Sequence, residues 1–184
     1  MYKVFTAFAV FAAVVVSSLL GYGSTSTADA AVNFISWPKD IVYVYDTTSA
    51  IKKSDGSPVW PVYAAAERWD DGNPVDFIYT TKGCPSGYQC VTVRQVELAP
   101  PAAGETATGF SGSDITSSKV TLDTTFGRTN TYDKRRNVVC HELGHSLGLK
   151  HRTSTTSCLT SYVTNQRYPD ATDIKSLNTM YGYR

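Results

Sequence analysis

All three histidines of the chain lie in one stretch, VVCHELGHSLGLKH, from Val138 to His151. Neutral imidazole is the commonest side-chain ligand of transition metals, so a cluster of this kind points first to a metal site. Arg135 to Leu147 has helix-forming residues and an apolar stripe through Val138, Val139, Leu143 and Leu147, which predicts a helix. His141 and His145 then stand at i and i+4 on one face, with Cβ atoms about 5–6 Å apart, a spacing that suits two ligands of one small ion. Gly148 is placed to take the left-handed conformation that ends a helix, and the turn can bring His151 round to the same ion. Three imidazoles leave the fourth tetrahedral position of Zn²⁺ open, as catalytic sites do and closed structural sites do not. Zinc is the expected metal; a different metal in vivo, or a zinc site without turnover, are the rival readings.

Glu142 sits on the same helical turn, one residue off the face of the ligands. From there it can reach a water at the metal without occupying the metal. It is the expected general base, accepting the proton of a zinc-acidified water and passing it to a departing amine. The reaction so predicted is peptide hydrolysis without a covalent intermediate. Cys140 directly precedes this pair and belongs to an even set with Cys84, Cys90 and Cys158. Of the three connectivities that four cysteines allow, a Cys84–Cys90 link is favoured because Pro85, Ser86 and Gly87 between them are turn formers. Cys140–Cys158 follows by elimination. Thiolate ligation of a metal is the weaker reading, since no second cysteine lies close to Cys140 or Cys158 in sequence.

Such a site needs a scaffold, and the rest of the chain reads as one. IVYVY (Ile41 to Tyr45) is β-branched and aromatic, apolar on both faces as a buried strand would be. PVYAAAERWD predicts a helix, with Pro61 in the first turn and Val62, Ala65, Ala66 and Trp69 on its packing side. VDFIYTT, CVTVRQVEL and KVTLDTT read as further strands, and the alternation of the second changes phase near Gln95, which predicts a bulge there. PPAAGETATGFSGSD is expected to be loop plus an edge strand, and a last helix closes the chain.

Residues 1–30 read as a signal peptide: Lys3, an apolar run from Val4 to Leu20, and small residues at Ala28 and Ala30 before a cleavage site. An uncleaved membrane anchor is the rival reading of the same run. Residues 31–184 then form a single domain, secreted and extracellular, where disulfides persist. With 18% charged residues and a formal net charge of +1, the composition argues against disorder, a nucleic-acid partner or a polybasic membrane arm. No membrane association is expected after signal cleavage, and a monomer is expected.

HELGHSLGLKH resembles the extended zinc signature of the metzincin metallopeptidases, and within them it is most similar to the matrixins. IVYVYDTT resembles their first strand, VYAAAERWD their first helix with its late tryptophan, and DATDIKSLNTMYGYR their terminal helix ending in Tyr-Gly. The resemblance implies an α+β domain with a twisted, mostly parallel five-stranded sheet, one antiparallel edge strand, three helices and a cleft over the zinc. It implies His141, His145 and His151 as ligands, Glu142 as base, and protein or peptide substrates that bind extended against the edge strand. Where metzincins place a methionine beneath the metal, this chain has SCLTSY, with Leu159 as the apolar floor. Tyr162 in that stretch has either a structural role or a place near the metal or a substrate oxygen. No histidine remains for a second, structural zinc, and too little chain precedes IVYVY for a propeptide with a zinc-blocking cysteine. Asp114, Asp123 and Asp133 could bind Ca²⁺, although acids scattered in polar segments are more often merely solvated. Two functions follow as candidates: a secreted zinc endopeptidase, and a secreted zinc-binding, protease-like recognition module without turnover.

Overall fold

A computed structural model describes residues 13–18, 35–125 and 129–182. In chain order its elements are β1 (Ala13–Ser18), β2 (Ile41–Asp46), α1 (Val62–Asp70), β3 (Asp76–Thr80), β4 (Gln89–Val96), β5 (Gly104–Ser111), β6 (Asp114–Asp123), α2 (Tyr132–Ser146) and α3 (Ala171–Tyr181). Strands β3, β2, β4 and β6 lie side by side and parallel, and β5 runs antiparallel to β6. With α1, α2 and α3 this is the mostly parallel five-stranded sheet and three-helix α+β domain that the resemblance implies.

One further strand was not expected. β1 pairs antiparallel with the outer side of β5, Ala13 opposite Phe110 and Ser18 opposite Glu105. The sheet of the described residues therefore has six strands, and β5 is flanked on both sides. The partner comes from the stretch read as a signal peptide. Its sequence, AVVVSS, is rich in β-branched valine, the kind of segment that an unpaired backbone edge takes up.

The alternation of β2 decides its faces. Val42 and Val44 are fully buried, whereas Tyr43 and Tyr45 are half-buried on the other face. Asp46 ends the strand inside the protein, where its carboxylate accepts from the Thr48 N–H and hydroxyl and from the Tyr79 hydroxyl. The bulge expected near Gln95 is absent, since the β4–β6 register runs unbroken from Val91 to Val96. The side chain of Gln95 accepts from the Trp60 indole N–H, so a polar partner accounts for the change of phase. The register shift falls instead between Gly109 and Phe110 on β5.

Helix α1 buries the side predicted for it, Val62, Ala65, Ala66 and Trp69, against α2 and β3. The Trp69 indole N–H also donates to the Cys140 carbonyl oxygen at 2.8 Å, so α1 fixes the helix that carries the histidines. Helix α2 begins at Tyr132, ahead of the predicted Arg135, because the Thr131 hydroxyl caps the Lys134 N–H. From Asn137 to Ser146 every residue of α2 is buried. Close approach makes this possible: a Cβ on Gly144 would lie 2.7 Å from both Leu159 Cδ2 and Trp69 Cζ2. Helix α3 opens on a capping box between Asp170 and Asp173. The Tyr181 hydroxyl at its far end donates to the Leu147 carbonyl oxygen at the end of α2. No helix among the described residues is long and apolar enough to cross a membrane.

Candidate active site

The i and i+4 spacing on α2 brings His141 and His145 together, and the chain past α2 returns His151 to them. Gly148 makes that return. Its φ is +91°, and its N–H donates to the His145 carbonyl oxygen while the Leu149 N–H donates to that of Gly144. A Cβ at Gly148 would stand 2.1 Å from the Ile35 carbonyl oxygen, so backbone freedom and space both require glycine.

Hydrogen bonds fix the two helical rings. His141 Nδ1 lies 2.9 Å from the Cys158 carbonyl oxygen, and His145 Nδ1 lies 2.7 Å from that of Leu149. A carbonyl only accepts, so both Nδ1 atoms carry hydrogen and both Nε2 atoms keep a lone pair. His141 Nε2 is 2.9 Å from His145 Nε2 and 3.1 Å from His151 Nε2. Lone pairs this close repel one another unless a cation sits among them. Two nitrogens bound at 2.0–2.1 Å to one tetrahedral ion would be ~3.3 Å apart, so the donor set fits zinc. Among the described residues this trio is the one cluster of side chains able to hold a metal.

Burial keeps the rings in the metal-binding form. His141 is pushed well below the ordinary histidine range by burial first and by His145 and His151 next. Burial, then the proximity of His151, lowers His145 to about 4. The half-buried His151 is lowered by burial as well. All three are therefore neutral near pH 7, and a metal need displace no proton from them.

Glu142 is fully buried beside this cluster. Its Oε2 lies 2.7 Å from the Thr106 hydroxyl of β5, which also lies 2.9 Å from the Glu142 carbonyl oxygen. Its Oε1 is buried with no hydrogen-bond partner. Burial raises the carboxyl to about 8, a rise opposed by the Thr106 hydroxyl and assisted by Glu105.

A brace lies beneath the histidines. Cys140 and Cys158 form a disulfide, as do Cys84 and Cys90, so both expected pairings are present. The first links α2 to the residue whose carbonyl holds His141. Leu159 is fully buried against α2 at Gly144, the floor position expected of it. Arg152, next to His151, donates its N–H to the Leu159 carbonyl oxygen and pairs through its guanidinium with Asp170 and Asp173. The post-helical loop is thus tied to the start of α3. Asn137 secures the following loop, accepting from the Thr164 N–H and donating to the Gln166 carbonyl oxygen.

Other sequence candidates stand apart. Tyr162 is 54% exposed and has no packing role in the core. Asp133 pairs with Arg167, Asp123 accepts from the Leu98 N–H and the Thr125 hydroxyl, and Asp114 opens β6; the three do not form a cation site. Sequence reasoning missed Thr106, Gly104 and the Arg152–Asp170–Asp173 group. Only the last left a signal, the Asp-x-x-Asp of a helix start.

Compared with known families, residues 6–182 match the family model described as Matrixin. No curated protein matches the chain.

Proposed function

The chain belongs to the matrixin family of zinc metallopeptidases, and from that premise we propose that it is a secreted endopeptidase that cleaves extended protein substrates with Glu142 as general base. The convergence of three Nε2 atoms beside a buried, half-partnered carboxylate carries this reading.

Zinc bound by this trio would supply a Lewis acid that brings a water near neutrality and polarises the scissile carbonyl. His141, His145 and His151 would hold it as neutral imidazoles, the first two oriented by the Cys158 and Leu149 carbonyls. Glu142 takes a proton at Oε1 and delivers it to the departing amine nitrogen, one carboxyl serving as base and then as acid. Removal of residues 1–30 on export takes β1 with it and leaves the outer edge of β5 open for an extended peptide. The two disulfides agree with an extracellular destination. The mature chain acts as a monomer.

The test is cleavage of casein or gelatin by the chain beginning at Ala31, with a zinc chelator and after zinc is restored. Cleavage should vanish with the chelator and return with zinc. Cleavage that survives complete zinc removal would overturn the proposal, and stoichiometric zinc without cleavage would support the recognition module instead.

A further inference from the structure

Thr106 is buried on β5, 36 positions before Glu142, with its hydroxyl 2.7 Å from Oε2. Gly104 lies two residues earlier and so on the same face of the strand. A Cβ on Gly104 would come within 2.9 Å of Glu142 Cγ, of Glu142 Oε1 and of Val138 Cγ1. The strand thus offers a hydroxyl to one carboxylate oxygen and bare backbone to the side of the other. Oε1 is the oxygen left without a partner.

We propose that Thr106 and Gly104 are positioning residues that hold the Glu142 carboxylate in one rotamer, with Oε2 anchored and Oε1 directed at the proton to be moved. This rests on the reading of Glu142 as general base. A glutamate side chain has several staggered rotamers of similar energy, and a buried one needs packing or a hydrogen bond to select among them. The Thr106 hydroxyl supplies the bond, and the missing side chain of Gly104 supplies the space. Because β5 is also the strand on which an extended peptide would pair, one rigid element sets both the substrate register and the position of the base. A shift of about 1 Å in such a group can cost on the order of a hundredfold in rate.

The variants Thr106→Val, Thr106→Ser and Gly104→Ala test this against wild type and Glu142→Gln, each assayed for kcat, KM and zinc content. Thr106→Val keeps the shape and removes the hydroxyl; it should lower kcat by about tenfold or more, with KM and the zinc content unchanged. Thr106→Ser restores the hydroxyl and should restore most of kcat. Crystals of the metal-free variants supply a readout without turnover: the Glu142 carboxylate should leave its place beside residue 106 in Thr106→Val and keep it in Thr106→Ser. An unchanged kcat in Thr106→Val, a serine variant no better than valine, or an unmoved carboxylate would each overturn the proposal. Should Thr106→Val fail to fold, Gly104→Ala decides, since it keeps the hydroxyl and crowds Oε1; wild-type kcat there would overturn the proposal. Full activity in Glu142→Gln would instead sink the base assignment itself, whatever the Thr106 variants do.

Discussion

Removing the Cys140–Cys158 disulfide, in the double variant Cys140→Ala and Cys158→Ala, should damage both the fold and the metal site by separable amounts. The bridge closes a loop with a sequence separation of 18. Loop-closure entropy for that length corresponds to about 3 kcal/mol of stability at 25 °C. Both sulfurs are fully buried, so lost packing adds to this figure. The effect on the metal passes through the Cys158 carbonyl, which holds His141 Nδ1. Partners behind a ligand contribute roughly 10–100-fold to metal affinity. Cys158 remains tied here by its N–H to the Tyr168 carbonyl oxygen, and Ser157 remains bonded to Asp173, so a loss near the lower bound, about tenfold, is expected. Urea unfolding of the metal-free protein reads the first quantity, and zinc competition against a chromophoric chelator reads the second. A stability loss under about 1 kcal/mol would refute the loop-closure argument. Wild-type zinc affinity in a clearly destabilised variant would refute the link from brace to ligand.

Leu159→Ala should cost about 2–5 kcal/mol in urea unfolding while zinc still binds, because a fully buried side chain under α2 is lost but no ligand is; a loss under 1 kcal/mol would mean the site collapses around the gap. Gly148→Ala should cost about 2–4 kcal/mol, from left-handed backbone strain and the clash with the Ile35 carbonyl, and should weaken zinc binding because the turn carries His151; an unchanged melting temperature would refute this. In the metal-free protein the lowered histidines bind protons only when unfolded, so stability falls as pH drops from the ordinary value of 6.5 toward about 4. Glu142 has the opposite sign: folded it holds a proton up to about 8 and unfolded only to 4.5, so its contribution is lost as pH rises through that window. Melting temperature in chelator should therefore peak near pH 6.5, and Glu142→Gln should abolish the decline toward pH 8; persistence of that decline would refute the burial account of Glu142.

The legible part of the site is the part built from local spacing. His141 and His145 follow from helical periodicity, His151 from the glycine that ends the helix, and the disulfides from an even count with a turn-forming segment between Cys84 and Cys90. The packing side of α1 was readable for the same reason, as its apolar residues recur at helical intervals. Contacts between distant segments were not readable. Thr106 is one threonine among many, and nothing in GETATGF says that its hydroxyl meets a glutamate on another element. Gln95 misled because a hydrogen bond to Trp60 and a bulge both leave a polar residue out of phase in a strand. The sixth strand was hidden because an apolar, valine-rich run fits a signal peptide and a strand equally well.

If three histidines hold zinc and Glu142 moves protons, the two tasks can be separated in one variant. The measurement is zinc content and peptide cleavage on the same sample of Glu142→Gln. One zinc per chain is expected, as in wild type, with kcat/KM reduced by about a hundredfold or more. Cleavage near the wild-type rate, or loss of the zinc together with the activity, would contradict this division of labour.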